Sequence, residues 1–256
     1  MKVVILAGGL GTRLSEETQK KPKPMVKIGN LPILVHIINY YKKFGLNEFI
    51  ICCGYKNEVI TNFFKKEYRL NRKQIKIINS KTTEISSNFN DEKILLINTG
   101  MNTGTGGRLK KIVKLIKENF FLMTYGDGLS NVNIKKLINY HIKCNRLVTL
   151  TAVFPPPRWG YLNIKGTKVT NILEKVSNYG NRVNGGFFVI NKSAIKFIKN
   201  YSDHWEQQPL SKIAELNQLT AYKHNDFWQP MDTLREKNIL NELIKQKKAP
   251  WLYEDK

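Results

Sequence analysis

The chain has 256 residues, of which 41% are apolar, and it carries a formal net charge of +22. This length suits one domain, residues 1–256, with a sizeable core. We find no run of about 18 apolar residues, which excludes an obvious membrane span, and we expect no signal peptide. Three cysteines do not make a disulfide framework, so we expect a cytoplasmic protein.

The positive charge is spread along the chain, with lysine doublets such as Lys42-Lys43 and Lys247-Lys248 far apart in the sequence. Such a distribution is typical of solvated helix faces, and it does not form the basic patch that nucleic-acid binding requires. We therefore expect neither a nucleic-acid nor a membrane partner. A basic surface would nevertheless help to collect an anionic nucleotide.

The most informative stretch lies near the start. An apolar run at residues 3–7 predicts a buried strand of a parallel sheet. A polar, glycine-rich loop follows, with Gly8, Gly9, Gly11, Thr12 and Arg13. Backbone amides in such a loop can bind a polyphosphate, and Lys23, between two prolines, can reach the phosphorus where charge develops. A turn that only reverses the chain is the alternative.

Two familiar phosphate loops do not fit this stretch. A dinucleotide fingerprint needs a third glycine where Leu14 stands, and a P-loop needs Lys-Ser/Thr where Thr12-Arg13 follows Gly11. The loop is therefore of another kind.

Strands and helices alternate along the chain, which predicts an α/β fold, Rossmann-like and doubly wound, with a mostly parallel sheet. We expect strands at residues 48–53, 75–78, 93–97, 120–125 and 147–154, and helices at 31–44, 58–68, 109–117, 133–143, 205–216 and 234–245. Residues 79–92 are interpreted as a variable loop or flap, and 155–160 as a lid or rim. We expect a smaller, mixed β subregion with strands at residues 161–164, 169–173 and 183–190.

Two carboxylates are candidate metal ligands. Asp127 stands between glycines at the end of a predicted strand, where a carboxylate can hold a divalent cation, although an Asp-Gly turn is the alternative. Asp232 follows a turn-rich segment and could be the second ligand. A second glycine-rich loop, residues 98–108, precedes a helix and favours an anion or a planar ligand over a flexible connection. Of the histidines, His36 and His141 lie within helical patterns and are interpreted as structural.

The segments VILAGGLGTRLSEET, KPKPMV, TYGDG, NGGFFV and FWQPMDTLR occur in this order. Together they resemble the sugar-1-phosphate nucleotidylyltransferase family, and within it the cytidylyltransferases that act on glucose 1-phosphate. The resemblance implies Mg²⁺ as cofactor, CTP and a sugar 1-phosphate as substrates, and a homo-oligomer, often a hexamer.

The resemblance also implies roles for individual residues. The catalytic residues would be Lys23, Arg13 and Asp127, and the metal ligands Asp127 and Asp232. The nucleotide would contact Leu6, Ala7, Gly8, Gly9, Gly11, Thr12, Arg13, Lys23, Thr105 and Arg108. The sugar phosphate would contact Tyr125, Gly126, Glu174, Lys175, Asn184 and Gly185. Because a guanidinium only donates hydrogen bonds, we expect Arg108 to face the acceptors O2 and N3 of cytosine; capping its helix or binding phosphate is the alternative.

The activity implied is synthesis of CDP-glucose and pyrophosphate from CTP and α-D-glucose 1-phosphate. Three alternatives remain open: a cytidylyltransferase for another sugar or polyol phosphate, a catalytically inactive nucleotide-binding regulatory homologue, and a basic nucleic-acid-binding module.

Overall fold

The computed structural model describes residues 1–67, 75–79, 82–87, 92–157, 159–174 and 180–252. Its strands are β1 (Lys2–Ala7), β2 (Lys27–Ile28), β3 (Leu31–Pro32), β4 (Glu48–Cys53), β5 (Ile75–Asn79), β6 (Thr82–Ser87), β7 (Glu92–Asn98), β8 (Phe120–Tyr125), β9 (Gly128–Ser130), β10 (Val148–Val153), β11 (Tyr161–Lys165), β12 (Lys168–Leu173), β13 (Val183–Asn191), β14 (Leu219–Lys223) and β15 (Trp228–Pro230). Its helices are α1 (Ser15–Thr18), α2 (Ile33–Lys42), α3 (Asn57–Glu67), α4 (Thr105–Ile112), α5 (Ile134–Cys144), α6 (Gln208–Glu215) and α7 (Leu234–Lys245).

A nine-stranded sheet forms the centre of the molecule, in the order β14-β10-β13-β8-β1-β4-β7-β6-β5. Strands β8, β1, β4 and β7 are parallel to one another, and β14 is parallel to β10. The β13 strand runs antiparallel to both of its neighbours, as does β6. The expected α/β fold with a mostly parallel sheet is thus confirmed in its central strands.

Helices cover both faces of the sheet, as a doubly wound fold requires. Val3 and Ile5 of β1 pack into one apolar cluster with residues of α2, α3 and α7. Val4 and Leu6 point the opposite way, into a second cluster with residues of α4 and α6. This alternation explains why β1 is an unbroken apolar run: successive side chains enter different cores, and both cores are apolar.

Several predicted elements were wrong in position. The expected loop at residues 79–92 contains β6, which pairs with β5 and β7, because polar residues can occupy a strand near a sheet edge. The β13 strand lies inside the main sheet and not in a separate subregion. Of the three strands expected in the smaller mixed subregion, β11 and β12 form a separate two-stranded antiparallel sheet.

The predicted helix at residues 109–117 begins four residues early, at Thr105. The glycines of its first turn are packed tightly: a Cβ on Gly107 would lie 1.8 Å from the carbonyl oxygen of Tyr201. These glycines therefore permit close packing of two backbones and belong to the helix.

Within the ranges that the structure describes, no helix has the length and apolar character needed to cross a membrane. The feature that positions the site is the edge of the sheet at which β8, β1, β4 and β7 all end, because parallel strands bring their following loops together there.

Candidate active site

A cleft of about 370 Å³ opens at this carboxyl edge of the sheet. Its walls come from the loops after β1 and β7, the turn after β8 and the start of α4. The lining residues are Leu6, Ala7, Gly8, Gly9, Gly11, Thr12, Arg13, Lys23, Pro24, Met101, Thr103, Thr105, Arg108, Tyr125, Gly126, Asp127 and His204. Every residue that the sequence suggested for nucleotide contact therefore lies around one cavity.

The glycine-rich loop forms one wall of the cleft. Gly11 adopts a left-handed conformation, with φ of 68°, and caps a short 3-10 turn at Thr12–Leu14. Its carbonyl oxygen accepts a hydrogen bond from the Thr18 hydroxyl at 3.0 Å. Gly9 is exposed, and a Cβ placed there would meet no atom within 4 Å. The loop is thus held at Gly11 and open at Gly9, where a backbone amide can meet a ligand.

Lys23 lies at the centre of a charged cluster. It stands in a 3-10 turn, Lys23–Met25, after the extended Pro22, and it is 7% exposed. Its Nζ donates to Asp127 Oδ2 at 2.7 Å and to Asp232 Oδ1 at 2.5 Å. Burial alone lowers the pKa of Lys23, but the two carboxylates outweigh it and raise the pKa above its usual value. The ammonium group is therefore charged.

The two aspartates are far apart in sequence and are brought together by a small β ladder. Strands β9 and β15 pair antiparallel, and Met231 N–H donates to the carbonyl oxygen of Asp127 at 2.8 Å. Asp232 then precedes α7, whose capping box joins Thr233 and Glu236. Glu236 also accepts from the Asp232 backbone N–H at 2.6 Å, which fixes that aspartate at the helix start.

Arg13 completes the cluster from the opposite side. Its Nη1 lies 2.7 Å from Asp232 Oδ2, while its side chain is 72% exposed. The exposed guanidinium borders the cleft and keeps further donors for an anion.

The donor set suits a divalent cation that also binds phosphate. The carboxylates of Asp127 and Asp232 converge on one point, occupied by the Lys23 ammonium. Among the described residues, no group of three or more His, Cys, Asp or Glu side chains could hold a metal alone. Two carboxylates completed by water and phosphate oxygens are a usual arrangement for Mg²⁺, so the residues present fit such an ion.

Arg108 lies against main-chain carbonyls at the ends of three strands. It is 3% exposed, and its guanidinium donates to carbonyl oxygens of Cys53 (3.0 Å), Gly100 (3.0 Å) and Gly8 (2.9 Å), and to the Thr99 hydroxyl. These acceptors lie at or just after the ends of β1, β4 and β7, and the Cys53 and Gly8 carbonyls also accept backbone N–H groups of Thr99 and Tyr55. Arg108 therefore ties three loops together, and it also lines the cleft.

This arrangement gives Gly8 a second explanation. A Cβ on Gly8 would lie 2.1 Å from Arg108 Nη1. Glycine at this position thus makes room for the guanidinium as well as for a ligand.

The other side of the cleft contains a chain of hydrogen bonds through Thr105, Glu206 and Tyr125. Thr105 accepts from the Trp205 N–H at 2.8 Å and donates to Glu206 Oε2 at 2.6 Å. Tyr125 donates its hydroxyl to Glu206 Oε1, and Asn184 Nδ2 lies 3.5 Å from the Tyr125 oxygen. Burial, followed by the charge of Glu206, raises the pKa of Tyr125, so the phenol stays neutral.

Only some of the residues expected at the sugar phosphate line the cleft. Tyr125 and Gly126 line it, whereas Glu174, Asn184 and Gly185 do not. Asn184 reaches it through Tyr125, and the Gly185 carbonyl accepts from Trp228 Nε1 at 2.7 Å. Lys175 lies outside the described residues.

Glu206 and His204 were not predicted as site residues, because neither belongs to a sequence motif. His204 lines the cleft, and Glu206 contacts two residues that line it.

The interpretation of His36 and His141 as structural residues agrees with their contacts. His36 pairs with the Ile28 carbonyl at 2.9 Å, and His141 with the Thr149 hydroxyl at 2.8 Å. Burial lowers the pKa of both rings.

Comparison with known proteins extends these observations. A family model described as nucleotidyl transferase matches residues 2–233. The chain is 46% identical to the glucose-1-phosphate cytidylyltransferase of Salmonella typhimurium, over 98% of each chain. It is 36% identical to a protein of Bacillus subtilis named "Probable glucose-1-phosphate cytidylyltransferase", over 98% of this chain and 99% of that one. Among solved structures, HddC from Yersinia pseudotuberculosis matches with a TM-score of 0.70 and 25% identity, covering 95% of this chain and 99% of that chain.

Proposed function

The chain belongs to the nucleotidyl transferase family, and from this we propose that it joins CTP and α-D-glucose 1-phosphate to give CDP-glucose and pyrophosphate. The observation that carries the proposal is the buried Lys23 ammonium, held between Asp127 and Asp232 beside an open glycine-rich loop. The 46% identity over 98% of the chain to a glucose-1-phosphate cytidylyltransferase supports the choice of both substrates.

In this reaction a phosphate oxygen of the sugar phosphate attacks the α-phosphorus of CTP in line. A new P–O bond forms, the bond to the bridging oxygen breaks, and its electron pair leaves with pyrophosphate. Little covalent chemistry falls to the protein, so catalysis consists of positioning and charge stabilisation. Lys23 and Arg13 supply fixed positive charge at the reacting phosphates, and Gly8, Gly9 and Gly11 bring backbone amides to them.

Asp127 and Asp232 are the proposed ligands of Mg²⁺, completed by phosphate oxygens of the nucleotide. When bound, the ion supplies charge neutralisation and orientation of the phosphates. Lys23 has to share these carboxylates with the ion, and its flexible four-carbon stem lets the ammonium turn toward the phosphates.

The remaining contacts are divided between the two substrates. Leu6, Ala7, Thr12 and Thr105 are proposed to contact the nucleotide, since they line the cleft together with the glycine-rich loop. The sugar phosphate is proposed to meet Tyr125, Gly126, Glu174, Lys175, Asn184 and Gly185.

For Arg108 we propose an indirect part in nucleotide binding. Its donors already hold the loops after β1, β4 and β7. The base would then be recognised by the backbone of these loops, which Arg108 keeps in place.

A panel of substrates tests the proposal. Pyrophosphate release is measured for CTP, UTP, dTTP, ATP and GTP, each with several sugar and polyol phosphates. The proposal expects the highest kcat/KM with CTP and glucose 1-phosphate. A higher value with another acceptor would assign a different cytidylyltransferase. Tight nucleotide binding without turnover would indicate a regulatory homologue, and a preference for oligonucleotides would indicate a nucleic-acid-binding module.

We further propose a single domain, residues 1–256, in a reducing cytoplasm; the free Cys52, Cys53 and Cys144 are consistent with such a compartment.

We also propose a homo-oligomer, which would be a hexamer by resemblance to the family. The β11–β12 hairpin supports it, because a two-stranded ribbon is marginally stable alone and this one exposes Leu162 (53%), Ile164 (61%) and Ile172 (65%). Light scattering gives the mass that tests this.

A further inference from the structure

Glu206 stands outside the cleft but contacts two residues that line it. Its Oε2 accepts from the Thr105 hydroxyl at 2.6 Å, and its Oε1 accepts from the Tyr125 hydroxyl. Thr105 begins α4 and is a proposed nucleotide contact, and Tyr125 ends β8 and is a proposed sugar-phosphate contact. One carboxylate thus joins the two halves of the site.

The direction of both hydrogen bonds is fixed by their surroundings. The Thr105 oxygen already accepts the Trp205 N–H at 2.8 Å, so its hydrogen is free to point at Glu206. The Tyr125 oxygen faces the Asn184 amide nitrogen at 3.5 Å, so its hydrogen also points at Glu206. Both hydroxyls donate to a charged acceptor, and such hydrogen bonds are stronger than those between neutral groups.

The segment that carries Glu206 is itself firmly placed. Gly104 N–H donates to the Tyr201 carbonyl at 2.9 Å, and Gly107 N–H to the Asp203 carbonyl at 3.2 Å. Close approach is possible because α4 starts with glycines, and the neighbouring Trp205 is fully buried. The position of Glu206 relative to α4 is therefore set by backbone contacts.

We propose that Glu206 is a positioning residue that couples the nucleotide side of the cleft to the sugar-phosphate side, by holding Thr105 and Tyr125 in one orientation. The inference rests on the proposed function for the identity of the substrates. It implies that loss of the carboxylate weakens the use of both substrates, whereas a residue that touched only the sugar would affect one.

Glu206→Gln is the first test. The amide keeps one acceptor oxygen and replaces the other with a donor, so only one of the two hydroxyls can still donate. We expect kcat/KM to fall about tenfold for each substrate, with the change mainly in KM, since a hydrogen bond to a charged group is lost. Glu215→Gln, at the last residue of α6 and paired with Lys212 at 2.9 Å, removes the same charge and should leave both values unchanged.

Tyr125→Phe and the double variant Tyr125→Phe/Glu206→Gln separate positioning from general destabilisation. If Glu206 acts through Tyr125, the double variant loses less than the product of the single losses. The inference is overturned if the losses multiply, if only one KM rises, or if Glu206→Gln behaves like Glu215→Gln.

Wild-type turnover tests the proposed function separately. The variants are compared with whichever substrate pair the wild type uses best, so a different acceptor refutes the proposed function and leaves the coupling measurable. Titration calorimetry measures the affinity for CTP directly, without turnover. Unchanged CTP affinity in Glu206→Gln contradicts the inference, and weaker affinity supports it.

Discussion

Lys23→Met replaces the ammonium group between two carboxylates with an uncharged side chain of similar length. In the wild type, Nζ lies 2.7 Å from Asp127 and 2.5 Å from Asp232. Without it, Asp232 keeps Arg13 as a partner, and Asp127 loses the cation at 2.7 Å. The charge that the reaction needs at the phosphates is lost at the same time.

Two magnitudes follow for this variant. Removing one partner of a buried ion pair costs about 3–5 kcal/mol, but the Asp127 side chain is 34% exposed and the cost falls to about 1–2 kcal/mol through solvent screening. Loss of one preorganised donor to developing charge lowers kcat about 10²–10³-fold. The catalytic loss corresponds to about 3–4 kcal/mol of activation free energy and should therefore exceed the loss of stability about twofold.

The assay combines steady-state pyrophosphate release with thermal unfolding. Lys27→Met, four residues away at an exposed position, is the matched control and should retain wild-type kcat. If Lys23→Met stays folded and keeps kcat within about threefold of the wild type, the role assigned to Lys23 through preorganised charge is refuted.

Three further predictions concern the metal ligands, Arg108 and the glycines. Asp127→Asn and Asp232→Asn should each abolish most Mg²⁺-dependent turnover and weaken Mn²⁺ binding measured by electron paramagnetic resonance; full activity in EDTA would contradict the metal assignment. Arg108→Ala should lower kcat/KM for CTP and UTP by the same factor and reduce stability by about 2–4 kcal/mol, because the buried hydrogen bonds that join three loops through one guanidinium are lost; a changed CTP/UTP ratio would instead indicate direct contact with the base. Gly107→Ala should lower Tm sharply, since its Cβ would lie 1.8 Å from a main-chain oxygen, whereas Gly9→Ala should leave Tm unchanged and raise the KM for CTP.

The features predicted well from the sequence are those set by local pattern. The run at residues 3–7 is buried on both sides because its side chains alternate between two cores, and α7 has the predicted bounds, Leu234–Lys245. The glycine-rich loop lies on the cleft because it follows a central parallel strand.

The features that escaped prediction depend on contacts between distant segments. The two aspartates were expected to share one metal ion, but their ion pairs with Lys23 were not expected. Those contacts depend on the pairing of β9 with β15, two strands of three residues each. Arg108 looked available to a ligand because its partners are main-chain carbonyls, which carry no residue-specific signal. Glu206 belongs to no sequence motif, and its hydrogen bonds with the hydroxyls of Thr105 and Tyr125 arise only from the tertiary fold.

The chemistry itself is tested most directly by phosphorus NMR. Wild-type protein is incubated with CTP, glucose 1-phosphate and Mg²⁺, and the spectrum is followed over time. We predict that the signals of CTP and glucose 1-phosphate decline together while those of a nucleoside diphosphate sugar and pyrophosphate grow in equal amounts, with no such change for Lys23→Met on the same timescale. Conversion of CTP to CDP and inorganic phosphate, or an unchanged spectrum with fully folded wild-type protein, would contradict it.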